Sequence, residues 1–256
     1  MKQLNQLLEE MRQEKRPLLR CGSPTLDSMG LLHEGAMTLL GARPGMGKTT
    51  LAMQIAGHVA NEEERIVLWF CDWEHAAYRI AREIPNIRYW FAPQHLWLED
   101  REWNMKEIRK LAQEAPQPPA LIVLDSLQGF YVPSKKGRAL YDAKRVCAEA
   151  REIARETGAA VLLTSKLTRE VEGRKGHAPR PTDVLQWEAI APFLDTVCLF
   201  LHDGYYDDQA PDPTRTRFSV STIPNGYREC GNARFDLRYN RETRLYYEIG
   251  YEDFWA

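Results

Sequence analysis

Residues 41–50 read GARPGMGKTT. One apolar run, Ala36-Met37-Thr38-Leu39-Leu40, leads into them, and a second, LAMQIAGHVA, leads out. Two segments that belong in a core are thus joined by three glycines, a proline and a lysine. The window Ala42-Arg43-Pro44-Gly45-Met46-Gly47-Lys48-Thr49 fits the phosphate cradle G-x-x-x-x-G-K-[ST], with alanine at the first glycine position. The mechanism survives that change. Gly45 and Gly47 let the backbone turn its N–H groups inward, and Lys48 reaches the outer phosphates. The Thr49 hydroxyl can bind Mg²⁺, and a helix starting there offers its positive end to an anion. A glycine-rich turn with an accidental lysine is the competing reading. A buried strand before the window and a helix after it speak against that.

Such a cradle needs a second element, an apolar strand ending in an aspartate that holds Mg²⁺ through water. Leu121-Ile122-Val123-Leu124-Asp125 fits. The chemistry also needs a group that faces the terminal phosphate and positions water. Glu74, in FCDWEH, follows the second apolar run. Asp72 lies two residues earlier and faces the same way in extended chain. Asp72 reads as a solvated acid at a strand end.

Working outward, strand-like runs cover 36–41, 65–71, 120–126, 159–165, 195–201 and 217–223. Helical patterns lie near 48–60, 75–84, 103–115 and 139–157. The strand runs are continuously apolar, as in strands covered on both faces. Strands alternating with helices imply an α/β fold with a mostly parallel, twisted sheet and right-handed crossovers. The tail, 217–248, has strand-like runs without strong helices and reads as antiparallel edge strands. The stretches 173–181 and 204–215 read as long mobile loops. At the other end, Leu4, Leu7, Leu8 and Met11 fall at i, i+3, i+4 and i+7. They predict an amphipathic helix, closed by Arg16-Pro17, that docks on its own chain or on a neighbour's. Residues 1–16 are therefore set apart from a single domain over 17–256.

Composition narrows the function classes. The 256 residues are 44% hydrophobic and 27% charged, enough to bury a core without staples. The five cysteines are scattered with no C-x-x-C pair, so neither a zinc site nor a disulfide framework is indicated. His75, His177 and His202 have no metal-ligand spacing. A reduced, cytoplasmic protein is expected, with no membrane-spanning run. Net charge is −2, so any nucleic-acid site is a local patch. Lys166 to Arg180 is such a patch, with five basic side chains against two acidic ones. Its candidate contacts are Arg169, Arg174, Lys175 and Arg180. The cluster KKGR at 135–138 is a second contact or simply a solvated loop. The aromatics Tyr246, Tyr247, Tyr251, Phe254 and Trp255 read as a core or subunit closure.

The order of these motifs resembles the RecA-like motor domain of DnaB-type replicative DNA helicases. CGSPTLDSMGLLHEGAMTLLGARPGMGKTTLAMQIA is similar to that family's entry into the domain. LWFCDWEH sits where the family has its catalytic glutamate, here Glu74. LIVLDSLQGF resembles the segment that puts an aspartate, here Asp125, on Mg²⁺. LTREVEGR and its flanks resemble the sensor followed by a DNA-facing loop, and NGYRECGNARFDL resembles the final hairpin. The match runs over roughly 20–248, and even the first helix has a counterpart in the family's linker helix. Three features depart from the pattern. The chain leaves no room for the family's large N-terminal domain. Lys166 replaces the sensor glutamine. Thr222 and Pro224 stand where the family places a lysine and an arginine that reach a neighbour's ATP site. Arg228 could substitute for that finger, or Lys166 could supply the charge from its own subunit.

The resemblance implies an ATPase and helicase of DNA replication that moves along single-stranded DNA as a ring-shaped homo-oligomer, expected to be a hexamer. ATP and Mg²⁺ would sit on Arg43, Pro44, Gly45, Met46, Gly47, Lys48, Thr49 and Thr50, with Thr49 and Asp125 on the metal. Lys48, Glu74 and Lys166 would be the catalytic set, and a helicase loader is an implied partner. Two alternatives stay open. One is a nucleotide-gated DNA-binding or assembly protein with weak hydrolysis, because the finger is missing. The other is a RecA-like recombination ATPase.

Overall fold

The computed structural model describes residues 17–71, 95–101, 103–133, 139–140, 142–207, 209–222, 230–240, 242–243 and 245–248. The helices expected over 1–16 and near 75–84, and the KKGR cluster, lie outside the described residues. So do Asp72, Glu74, His75, Pro224, Arg228, Tyr251, Phe254 and Trp255.

The described strands are β1 (Met37–Ala42), β2 (Val67–Cys71), β3 (Leu96–Glu99), β4 (Leu121–Asp125), β5 (Val132–Pro133), β6 (Ala139–Leu140), β7 (Ala160–Lys166), β8 (Thr196–His202), β9 (Arg215–Thr222), β10 (Cys230–Tyr239) and β11 (Tyr246–Glu248). The α-helices are α1 (Pro24–Ser28), α2 (Lys48–Asn61), α3 (Met105–Glu114), α4 (Ala143–Thr157) and α5 (Trp187–Ile190). Nine strands form one sheet in the order β11-β10-β9-β8-β1-β7-β4-β2-β3. From β8 to β3 every pairing is parallel, whereas β8, β9, β10 and β11 pair antiparallel. The expected α/β fold with antiparallel edge strands near the C-terminus is present.

The burial pattern explains why the strand runs read as solidly apolar. Every residue of β1, β2 and β4 is buried. Alternate side chains feed two cores. Leu40, Val67, Trp69, Leu121, Val123 and Leu162 pack on the face covered by Leu51, Ile55 and Val59 of α2. Leu39, Leu68, Phe70, Ile122, Leu124 and Leu163 pack on the other face, covered by Ile108 of α3 and by Val146, Ala150 and Ile153 of α4. The first core continues through Phe200, Phe218, Leu237 and Tyr246, which anchors the antiparallel strands.

Three details differ from the sequence reading. β3 has no counterpart in it, because four residues with alternating burial at a sheet edge give little apolar signal. The helix expected over 139–157 begins at Ala143, because the Asp142 side chain accepts from the Arg145 amide and caps it. Residues 139–140 instead pair with 132–133. The stretch 173–181 is built from short 3₁₀ turns, and Leu167 and Val184 form a bridge across its base.

β1 enters the sheet through Asp195. Its carboxylate accepts the Met37 amide at 2.8 Å and takes both terminal nitrogens of Arg151 from α4. Both side chains are largely buried, so losing one partner leaves polar groups without hydrogen bonds. Asp195→Ala is expected to lower the unfolding free energy by about 1–3 kcal/mol, with Asp195→Asn retaining part of it. Urea titration of both variants reads this.

Candidate nucleotide site

The site lies at the carboxyl end of β1. The chain leaves β1 for β2, three places away across β7 and β4, while β8 flanks β1 on the other side. Open α/β sheets bind ligands at the carboxyl ends of strands where the order reverses in this way.

β1 ends at Ala42, and the chain turns through Arg43–Gly47 into α2. Gly45 has φ +83° and Gly47 φ +88°, left-handed values that side chains other than glycine rarely adopt. Gly47 is the N-cap of α2 and supplies no side-chain hydrogen bond to its first turn. The opening amides of α2 are thereby left to face an anion. Pro44 and Gly45 are exposed, Thr49 and Thr50 are half-buried, and Met46 is buried.

Lys48 is only 9% exposed. Its ammonium donates to the Ala42 carbonyl at 3.0 Å and the Arg43 carbonyl at 3.2 Å, folding back over its own loop. Burial pushes its pKa down to about 8; Asp125 opposes the shift, and the positive charges of Lys166 and Arg43 add to it. Asp125 is 3% exposed and held from two sides. The Thr49 hydroxyl donates to one carboxylate oxygen at 2.8 Å, and the Thr164 hydroxyl of β7 donates to the other at 2.5 Å. The structure therefore joins Lys48, Thr49 and Asp125 in one cluster. A threonine hydroxyl beside a carboxylate is a hard oxygen set of the type Mg²⁺ takes, with water and phosphate completing its shell.

Lys166 sits at the end of β7, in register with Ala42, with its side chain exposed. Its positive charge adds to the downward shift of the Lys48 pKa. Glu74 follows Cys71, the last residue of β2, by three positions and lies outside the described residues. Cys71 is fully buried and in register with Asp125, consistent with a core role for its thiol.

The basic segment after β7 divides in two. Arg169, Lys175 and Arg180 are exposed. Arg174 instead forks onto Asp183 at 2.8 and 2.9 Å and donates to the Ala178 carbonyl at 2.6 Å. Burial alone would raise the Asp183 carboxyl, but hydrogen bonds from Arg174 and the Arg180 amide outweigh it and hold the pKa below the usual carboxylate range. Arg174 therefore braces the segment from within. Arg43, expected on a phosphate, also has a protein partner. It bonds Glu172 at 2.8 Å and the Leu167 carbonyl at 2.7 Å, tying the phosphate loop to the basic segment.

Sequence reasoning missed Thr164, Glu172 and Tyr246. Thr164 carried a signal, as a polar residue in the apolar strand beside the one ending in Asp125. Glu172 and Tyr246 carried none, because their partners, Arg43 and Met46, are more than a hundred positions away.

Fold and loop together define a RecA-like P-loop domain. The chain belongs to the AAA domain family, whose profile matches residues 23–170; membership implies a nucleotide site. It is 24% identical over 237 residues to the replicative DNA helicase DnaC of Bacillus subtilis, covering 82% of this chain and 52% of that one. It is also 24% identical over 170 residues to the DNA repair protein RadA of Halalkalibacterium halodurans, covering 64% of this chain and 35% of that one. The chain thus spans about half or less of the length of these relatives. Among solved structures, that of a DnaB-like replicative helicase superposes with a TM-score of 0.73 at 19% identity, covering 96% of this chain and 66% of that one.

The buried ammonium gives a direct test of the site. With lysines ¹³C-methylated, NMR titration is expected to show Lys48 titrating near 8, and Lys166→Gln should move it upward. A Lys48 midpoint near 10.5, the ordinary lysine value, contradicts the buried placement.

Proposed function

We propose that this chain is the ATP-hydrolysing motor part of a DnaB-like DNA helicase, acting on single-stranded DNA as a ring oligomer, a hexamer in the simplest case. The observation that carries the reading is the cluster at the end of β1, where Thr49 bonds Asp125, buried Lys48 feels the Asp125 charge, and the loop turns through two left-handed glycines. In this reading the amides from Gly45 to Thr50 hold the phosphates of ATP and Lys48 turns from its own carbonyls to the outer oxygens. The Thr49 hydroxyl and Asp125 hold Mg²⁺, which when bound offsets phosphate charge. Glu74 orients the attacking water. Thr222 and Pro224 supply no charge to a neighbour, so Lys166, exposed and close enough to lower the Lys48 pKa, provides it from its own subunit.

Arg169, Lys175 and Arg180 form the strand-facing set, while Arg174 holds the segment in shape. Phosphate contacts of this kind are independent of sequence and weaken with salt. The Arg43–Glu172 pair gives a direct connection between that segment and the phosphate loop. A ring repeats the basic segment around a channel, so DNA affinity and assembly rise together. No helix among the described residues is long and apolar enough to cross a membrane.

ATP turnover with and without a single-stranded oligonucleotide tests the reading, alongside mass in solution with the same additions. The motor predicts turnover that the oligonucleotide stimulates severalfold, and loss of about a hundredfold or more in Lys48→Ala and Glu74→Gln. Lys166→Ala and Lys166→Gln are expected to slow turnover by about tenfold or more; unchanged rates in both remove Lys166 from the catalytic set. Tight ATP binding with negligible turnover instead supports a nucleotide-gated assembly protein.

The sign of the pH dependence follows from Lys48. A triphosphate favours the charged ammonium, so binding raises its pKa above the ligand-free value of about 8. Affinity is full below pH 8 and falls as pH rises beyond it, by up to about tenfold per unit until the bound-state pKa is passed. Lys48→Met is expected to bind weakly and to lack that slope. Fluorescent-nucleotide titration from pH 7 to about 9.5 measures it.

A further inference from the structure

Tyr246 lies on β11, two hundred residues from the phosphate loop, yet its hydroxyl donates to the Met46 carbonyl at 3.0 Å. Both residues are buried, Met46 at 2% exposure and Tyr246 at 4%. The peptide between Met46 and Gly47 is planar and trans, so its carbonyl and its N–H point in opposite directions. A hydrogen bond that fixes the Met46 carbonyl on the protein side therefore aims the Gly47 amide to the other side, where the anion sits in the reading proposed above.

The contact is close as well as polar. A Cβ built on Gly47 would lie 2.2 Å from the Tyr246 hydroxyl oxygen. Gly47 is required there twice over, by its left-handed φ and by the approach of the phenol. Other bonds hold the tyrosine in place. The Gln54 side chain on α2 donates to the Tyr246 carbonyl at 2.7 Å and accepts the Tyr246 amide at 2.8 Å. Two residues further along β11, Glu248 accepts the Ser23 hydroxyl at 2.8 Å and the Thr25 amide at 2.7 Å at the start of α1. The ring packs with Phe200, Phe218 and Tyr239. Burial raises the phenol pKa far above its ordinary value, so it remains a hydrogen-bond donor across the working pH range.

We propose that Tyr246 is a positioning residue of the phosphate loop, holding the Met46 carbonyl so that the Gly47 amide is aimed at a nucleotide's phosphate, with Gln54 holding Tyr246. The proposal rests on the nucleotide reading of the loop and adds to it a positioning residue on the last described strand. β11 pairs with β10, and β10 pairs with β9, so Tyr246 also ties the phosphate loop to the antiparallel strands.

The test compares the wild-type chain with Tyr246→Phe, which keeps the ring and removes only the donor. We expect the KM for ATP to rise about tenfold with kcat changed by less than about twofold, the pattern of an interaction made equally in ground and transition states. In ¹H–¹⁵N spectra, adding Mg·ADP is expected to move the Gly47 amide strongly in wild type and weakly in the variant. A tyrosine that served packing alone would leave that amide response intact. Should Tyr246→Phe fold poorly, Gln54→Ala gives the same readings, with a KM rise of about threefold expected. An unchanged KM and a wild-type Gly47 response in a folded variant overturn the proposal. Absence of any nucleotide binding by the wild-type chain overturns the underlying reading instead, so the two failures are distinct.

Discussion

A buried carboxylate held between two threonine hydroxyls ties the whole site together. Asp125 sits at the end of β4, Thr164 on the adjacent β7, and Thr49 in the first turn of α2. A carboxyl group so deeply placed is tolerated only where hydrogen bonds meet it, and here both oxygens are met. The arrangement depends on the parallel register: β7 must lie beside β4, with Leu124 opposite Leu163, for Thr164 to reach Asp125. It also requires that the loop after β1 turn tightly enough to bring α2 back over the sheet. The two left-handed glycines perform that turn. Lys48 completes the cluster, its charge desolvated by burial and stabilised by Asp125.

The interior of the fold was legible in the sequence because its strands are covered on both faces. A strand with helices on both sides is apolar at most positions, and runs such as Leu121–Leu124 announce that directly. The tight turn after β1 was legible for a different reason: it needs left-handed backbone, and only a few residue types permit that geometry. Gly45, Gly47, Lys48 and Thr49 are local in sequence, so their spacing carries their meaning.

What the sequence hid are contacts between distant positions. β3 is an edge strand with alternating burial, too short to stand out. Arg174 read as a free cation of a basic loop, yet Asp183, nine positions on and 1% exposed, takes its fork. Arg43 read as a phosphate ligand by its place in the motif, yet in the structure its guanidinium joins Glu172. Tyr246 read as one aromatic among several that close a core. It does close one, and its hydroxyl reaches the phosphate loop as well. In each case composition registered the side chain and only the fold supplied its partner.

The same ties suggest how a signal crosses the molecule. The phosphate loop touches the basic segment through Arg43 and the antiparallel strands through Tyr246. A loop anchored on two sides has few ways to move on its own, so a change in its occupancy must be shared with one neighbour or the other. All of this presupposes that the loop binds a nucleotide's terminal phosphates. Calorimetric titration of the purified chain with Mg·ATP addresses that most directly. The account predicts one site per chain, abolished by Lys48→Ala; no binding heat in the wild type, or equal binding in the variant, contradicts it.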